Sequence, residues 1–201
     1  MRHRLAAAIA PALALLMVLS GPLQAQSLRE QAERIESALE AGETGDAMQA
    51  MREMHLSVAD QAGFSLQQAL LTEEPATGYG IYERREDAVY TPGDPVYGYV
   101  EPLGYSFEDG EVGLNAMLFD IDFALFTPEG ERLTDVTPMG AVELTSHNRP
   151  LDAYFHLTYR ISGPPGDYVI WTRVTDRPSG ESAEFEIPIS FRDTEGPSDK
   201  D

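Results

Sequence analysis

The residues with the sharpest chemical spacing are Met48-x-x-Met51-x-x-Met54-His55. Three thioethers and an imidazole are soft donors of the kind that suit Cu(I) outside the cytoplasm. Helical residues three and four apart are neighbours, so a helix would bring these side chains near one another. The competing reading is packing, because Met fills irregular gaps and an amphipathic helix needs an apolar face. Asp120 and Asp122, with Glu108, Asp109 and Glu111 nearby, offer hard oxygen donors of the Ca²⁺ type. On a strand, however, Asp120 and Asp122 stand about 7 Å apart, and no EF-hand spacing occurs. A solvated acidic strand face accounts for them more simply. A third group alternates along two later segments: Tyr154, His156 and Arg160, then Trp171 and Arg173. Alternation turns them outward from one sheet as an aromatic and basic patch, suited to a protein partner or a stacked glycan. Cover by the N-terminal helices is the competing reading for Trp171.

Hydrolytic and cofactor chemistry find no motif. There is no Gly-x-Ser-x-Gly, His-Glu-x-x-His, phosphate loop or dinucleotide fingerprint. His147 lies in the turn-like Ser146-His147-Asn148-Arg149-Pro150, and carboxylates such as Glu83 and Glu101 have no separation readable from sequence. With no cysteine, thiol catalysis, zinc–thiolate sites and iron–sulfur clusters are ruled out. The expectation is a chain that is not an enzyme and carries no cofactor.

The elements that position these residues begin after an N-terminal leader. Met1-Arg2-His3-Arg4 is basic, Leu5 to Leu19 is apolar, Gly21-Pro22 breaks the run, and Ala25 supplies a small residue. That order describes a secretory signal peptide over residues 1–25. The apolar run is shorter than the roughly 20 residues that span a bilayer, and no second one follows, so stable membrane insertion is not expected. No lipid-accepting Cys lies near the cleavage point. Removing Arg2 and Arg4 with the leader leaves 12 basic against 34 acidic side chains, a formal charge of −22. Such a charge repels nucleic acid and anionic lipid, and points instead to neutral or cationic partners. The expected location is periplasmic or secreted.

Composition then shifts near Pro75. Residues 27–74 are rich in Ala, Glu, Gln, Met and Leu and read as two or three short helices. Ser27 is the expected first N-cap, with Leu28, Ala32, Ile35 and Leu39 as an apolar stripe and Gly42 as its stop. A second helix starts near Asp46, and Ser65–Leu71 suits a short third one. Residues 76–193 read as an antiparallel β-sandwich of the immunoglobulin or fibronectin type, with candidate strands at 80–83, 96–101, 114–127, 131–136, 140–145, 153–161, 167–175 and 182–191. Residues 194–201 read as a disordered acidic tail.

In the last hairpin, setting Arg173 opposite Glu184 also sets Trp171 opposite Glu186, Thr172 opposite Phe185 and Ile170 opposite Ile187. Apolar pairs then share one face and a salt bridge falls on the other; a one-residue slip destroys the match. Gly163-Pro164-Pro165-Gly166-Asp167-Tyr168 suits a tyrosine corner. Gly80-Ile81-Tyr82-Glu83, Pro92-Gly93-Asp94-Pro95, Tyr99-Val100-Glu101-Pro102, Leu157-Thr158-Tyr159 and Pro165-Gly166-Asp167-Tyr168 together resemble a family of exported bacterial immunoglobulin-like proteins of unknown function. The resemblance spans residues 79–191. It implies a sandwich and export, and brings no catalytic residues with it. The sequence thus favours an exported binding or scaffold protein that contacts another envelope protein, over a small-ligand module for a glycan or for copper.

Overall fold

The computed structural model describes residues 21–193 apart from Val112, with side chains from residue 27 onward. The expected leader lies outside the described residues except for its last five positions, and the expected tail at 194–201 lies outside them entirely. The chain divides between Met54 and His55 into two units.

The first unit is a helical hairpin. Helix α1 spans Gly21–Glu40 and α2 spans Thr44–Ala62, so the expected cap Ser27 sits inside α1. Gly42 does end α1, with φ 76°, where Gly42 N–H donates to Leu39 O and Glu43 N–H donates to Ala38 O. Those two bonds make a Schellman cap, which needs a left-handed residue. The buried residues are Ala38, Ala47 and Ala50, while Leu39 is exposed. Small residues therefore fill the positions where the expected stripe would have put larger ones. Arg34 and Glu53 link the helices at 2.9 Å on the exposed side.

The second unit is mainly β. Its strands are β1 (Ser65–Thr72), β2 (Val89–Tyr90), β3 (Pro95–Leu103), β4 (Glu108–Asp109), β5 (Asn115–Phe126), β6 (Thr137–Ser146), β7 (Phe155–Arg160), β8 (Gly166–Asp176) and β9 (Ser182–Phe191). Three of them form a sheet in the order β1-β3-β7. The other sheet runs β2-β9-β8-β5-β4, with β6 also paired to β5. All pairings are antiparallel except the two-residue contact of β2 with β9. The last turns of α2 lead into β1 through Gly63, whose carbonyl lies so near Gly104 that a Cβ there would collide with it. Phe64 N–H donates to the Glu181 carboxylate at 2.6 Å.

Three expected elements differ. Ser65–Leu71 is β1 and not a third helix, so the chain turns to β structure before Pro75. Gln, Ala and Leu favour a helix locally, but β3 supplies a complete ladder and Leu70, Leu71 and Thr72 are all buried. Residues 80–83 form a glycine turn, bridged only at Gly78–Ile81 and Thr72–Arg84. Residues 131–136 are exposed throughout, and β6 begins only at Thr137.

Both sheets contribute to one core. It holds Val96, Val100, Phe155, Leu157 and Tyr159 from the smaller sheet and Phe119, Ile121, Ile170, Val174 and Ile187 from the larger. Phe119 meets Phe155 at 5.4 Å. The Tyr159 and Thr172 hydroxyls share a buried hydrogen bond of 2.8 Å between the sheets, a net gain of about 1 kcal/mol. The expected β8–β9 register holds at every pair: Arg173–Glu184, Thr172–Phe185, Trp171–Glu186 and Ile170–Ile187. Its salt bridge does not form, because Arg173 turns to Asp122 on β5 at 2.6 Å. The Tyr168 hydroxyl donates to Pro164 O at 2.7 Å, which closes the expected corner.

Candidate functional site

The five residues expected in one patch fall on two sheets. Tyr154, His156 and Arg160 lie at or on β7, in the three-stranded sheet, whereas Trp171 and Arg173 lie on β8 in the six-stranded sheet. The chain changes sheets between Ile161 and Gly166, so residues on neighbouring strands in sequence cannot share a face.

The outward residues of β8 are satisfied by their own sheet. Trp171 is half-buried, donates its indole N–H to Glu184 at 3.1 Å and lies under the Arg173 guanidinium. Arg173 holds Asp122, and Arg177 holds Asp120 at 2.5 Å. Those arginines occupy both carboxylates that the Ca²⁺ reading required. Asp120 is accordingly held below the usual carboxylate range, first by its bond to Arg177. Among the described residues, no group of three or more His, Cys, Asp or Glu is placed to hold a metal ion.

The methionines are not core filling. Met48 is 61% and Met51 52% exposed, with Met54 half-buried. The alanines take the buried positions of α2, so these thioethers face solvent. His55 is exposed and lines a small cleft of about 20 Å³ with Leu103, Tyr105 and Pro150.

The outer face of the three-stranded sheet is different in kind. Cross-strand pairing places Gln68 beside Glu101, and Tyr99 between Leu70 and His156. The chain between β1 and β2 passes over this face. Glu73 N–H donates to Glu83 O, and Arg85 N–H to Leu71 O. Within it, Gly80 has φ 65° and a turn closes through Ile81 N–H to Gly78 O at 3.0 Å. A left-handed residue is required there, which glycine adopts without cost. Gly80 N–H then donates to the Tyr99 hydroxyl at 2.8 Å, and that hydroxyl donates to Glu101 Oε1 at 2.7 Å.

Tyr99 has no exposed surface and Glu101 only 5%. The Tyr99 ring is flanked by Tyr82 at 4.3 Å and by Tyr154 at 5.7 Å. Gln68 fixes Tyr82 through its hydroxyl at 2.5 Å. The Tyr79 phenol, 41% exposed, interacts with both Glu101 and Asp152. Its pKa is raised, first by burial and then by the negative charge of those two carboxylates. Burial and the bond to Glu101 likewise hold Tyr99 protonated. Neither Glu101 nor Asp152 belongs to an ion pair among the described residues. The result is a cluster of tyrosines packed about Glu101, with Asp152 at its edge, that holds no ion pair among the described residues.

Sequence alternation found Tyr154, His156 and Arg160 on this face and missed Tyr79, Tyr82, Tyr99, Glu101 and Asp152. The signal was present in Tyr97-x-Tyr99-x-Glu101, whose parity is opposite to Val96-x-Gly98-x-Val100. Further along the same connection, Arg85 covers the Tyr90 ring at 4.3 Å and pairs with Glu73 and Asp87. Tyr90 is buried, its hydroxyl has no hydrogen-bond partner among the described residues, and burial pushes its pKa up to about 12.

No protein-family model matches the chain, and no curated protein matches it. Three solved structures are distantly similar. One is the alkylpurine DNA glycosylase AlkC of Pseudomonas fluorescens bound to DNA containing an abasic site analog, at TM-score 0.36 and 12% identity over 75% of this chain and 40% of that one. Another is Spo0M, a sporulation control protein of Bacillus subtilis, at 0.36 and 12% over 66% and 50%. The third is a family 123 glycoside hydrolase of Clostridium perfringens, at 0.38 and 10% over 63% and 27%. The chain thus spans half or less of each, and likenesses at these TM-scores carry no activity over to it.

The Tyr90 environment makes a stability prediction. Its folded pKa lies above the ordinary value of about 10, so the unfolded chain loses this proton first. The stabilisation is therefore intact below pH 10 and is lost as the pH rises toward about 12. Tyr90→Phe removes an unsatisfied hydroxyl, so it leaves neutral-pH stability unchanged or higher and makes the alkaline loss shallower. Urea unfolding at neutral and alkaline pH checks this. A neutral-pH loss above about 1 kcal/mol would show that the hydroxyl has a partner.

Proposed function

We propose that this chain is an exported, non-enzymatic binding protein of the bacterial envelope. In this reading it is an immunoglobulin-like β-sandwich that contacts another envelope protein through the outer face of its three-stranded sheet. The leader-like N-terminus supports export, and the shared core of the two sheets with the Tyr168 corner supports the sandwich. The observation that carries the binding reading is Glu101, buried among the tyrosines of this face and bonded to a phenol rather than to a cation. A carboxylate almost wholly buried without a cation is costly, and tyrosines are favoured anchors of protein interfaces. On the opposite outer face, Arg173 and Arg177 are held by Asp122 and Asp120 of the same sheet. A mature chain immobilised against envelope extract should retain a protein that Asp152→Lys releases and Trp171→Ala does not. Retention lost with Trp171→Ala and kept with Asp152→Lys would place the contact on the wrong sheet.

A second reading draws on the exposure of Met48 and Met51. Free thioethers on one helix are suited to Cu(I). Competition against a Cu(I) chelator should then show binding that Met48→Leu plus Met51→Leu weakens by at least about tenfold. Equal competition by the double variant and the parent chain would remove copper from consideration.

A further inference from the structure

The two helices of the N-terminal hairpin meet through small residues, Ala38 on α1 and Ala47 and Ala50 on α2. A helix turns about 100° per residue, which fixes where the larger apolar side chains stand relative to that seam. Leu28, Ile35 and Leu39 lie about 60–100° round from Ala38, in the sense in which the helix winds. Met51 and Met48 lie about 40° and 100° round from Ala47 in the same sense. The link of residues 41–43 runs α2 antiparallel to α1, and in an antiparallel pair offsets of one sense fall on one side. The other side checks the construction. Arg34 and Glu53 are both offset in the opposite sense, and they meet at 2.9 Å. With Asp46 and Gln49 they line one cleft of about 250 Å³.

Leu28, Ile35, Leu39, Met48 and Met51 therefore make a single apolar face of the hairpin. None of the five is buried. Leu39 is 58%, Met48 61% and Met51 52% exposed, and Leu28 and Ile35 are half-buried. Single apolar residues on a surface are ordinary, but a contiguous apolar face marks a contact. We infer that this face is the docking surface for a cationic amphipathic helix of a partner protein. It is a second surface, and it does not depend on the sheet face proposed above.

Charge selects that occupant. Residues 28–54 carry seven acidic side chains against three arginines, and Arg34 is already held by Glu53. The whole chain has a formal charge of −20. Such a field draws a basic partner in and works against anionic lipid and against a second copy of equal charge. Shape agrees. A seam of alanines with Leu and Met standing beside it makes a shallow groove, and an amphipathic helix lays its apolar stripe into a groove of this kind. Methionine also suits the role, since its unbranched thioether repacks against whatever partner surface arrives.

The test uses the whole chain, a copper chelator in the buffer, and a fluorescent helical peptide of leucine and lysine, about 18 residues long to match α2. Anisotropy should give a Kd of about 1–10 µM. An isomer of the peptide with its leucines spread round the helix should bind at least about tenfold more weakly. Leu39→Gln plus Met51→Gln should lower affinity at least about tenfold, while glutamine keeps the helix propensity of the residues it replaces. Asp152→Lys, which reports on the sheet face, should leave peptide binding unchanged. Peroxide oxidises exposed thioethers to sulfoxides, so bound peptide should slow the oxidation of Met48 and Met51, with buried Met117 as the internal reference. Equal binding of both peptide isomers, equal affinity in the double variant, or unprotected methionines overturn the inference. A dimer in sedimentation that the double variant dissolves overturns it in favour of a second copy. Adhesion to phosphatidylcholine vesicles that the double variant abolishes overturns it in favour of a bilayer.

Discussion

One short chain of hydrogen bonds governs the site: Gly80 N–H to the Tyr99 hydroxyl, and that hydroxyl to Glu101. A three-stranded sheet has two faces to cover. Its inner face lies in the shared core, so its outer face depends on the connection between β1 and β2. That connection has turns and bridges but no strand pairing of its own to hold it there. Tyr99 fastens it by accepting from the turn at Gly80 and donating to a carboxylate on its own strand. Removing the hydroxyl would take away the acceptor of the Gly80 amide and the Tyr99 donor of the buried Glu101, and a buried group left without its partner costs about 1–3 kcal/mol.

The same constraint explains why the two outer faces differ. On the six-stranded sheet, each arginine meets an aspartate on the next strand or turn, and Trp171 meets Glu184. Exposed pairs of this sort contribute little to stability, typically below about 1 kcal/mol. On the three-stranded sheet Glu101 is met instead by the Tyr99 phenol, which hydrogen-bonds a carboxylate without bringing a positive charge to it.

Much of the frame was legible in the sequence. Strict alternation gave β9 to the residue, and the match of Arg173 with Glu184 and Ile170 with Ile187 gave the hairpin register. Gly42 announced the end of α1 because a left-handed cap has so few alternatives. Ser65–Leu71 misled because its local propensity is helical while its burial is decided by β3, a partner whose position no local pattern reveals. Arg173 misled for a related reason: the sequence shows its hairpin neighbour, but the strand on its other side, β5, lies fifty residues earlier. The patch was misassigned because alternation gives the side of a strand and not the sheet to which the strand belongs. The tyrosine cluster at Glu101 was half visible. Gly80-Ile81-Tyr82 and Tyr99-Val100-Glu101 were already singled out as motifs, and folding brings them together.

The account thus rests on the Gly80 turn being fastened to the sheet face by the buried Tyr99 hydroxyl, which in turn donates to Glu101. Amide hydrogen exchange at Gly80, compared between the parent chain and Tyr99→Phe, tests this most directly. The account predicts a protected Gly80 amide that exchanges at least about tenfold faster in the variant, while core amides on β5 and β8 keep their protection. A Gly80 amide that exchanges freely in the parent, or equally slowly in both, would contradict it.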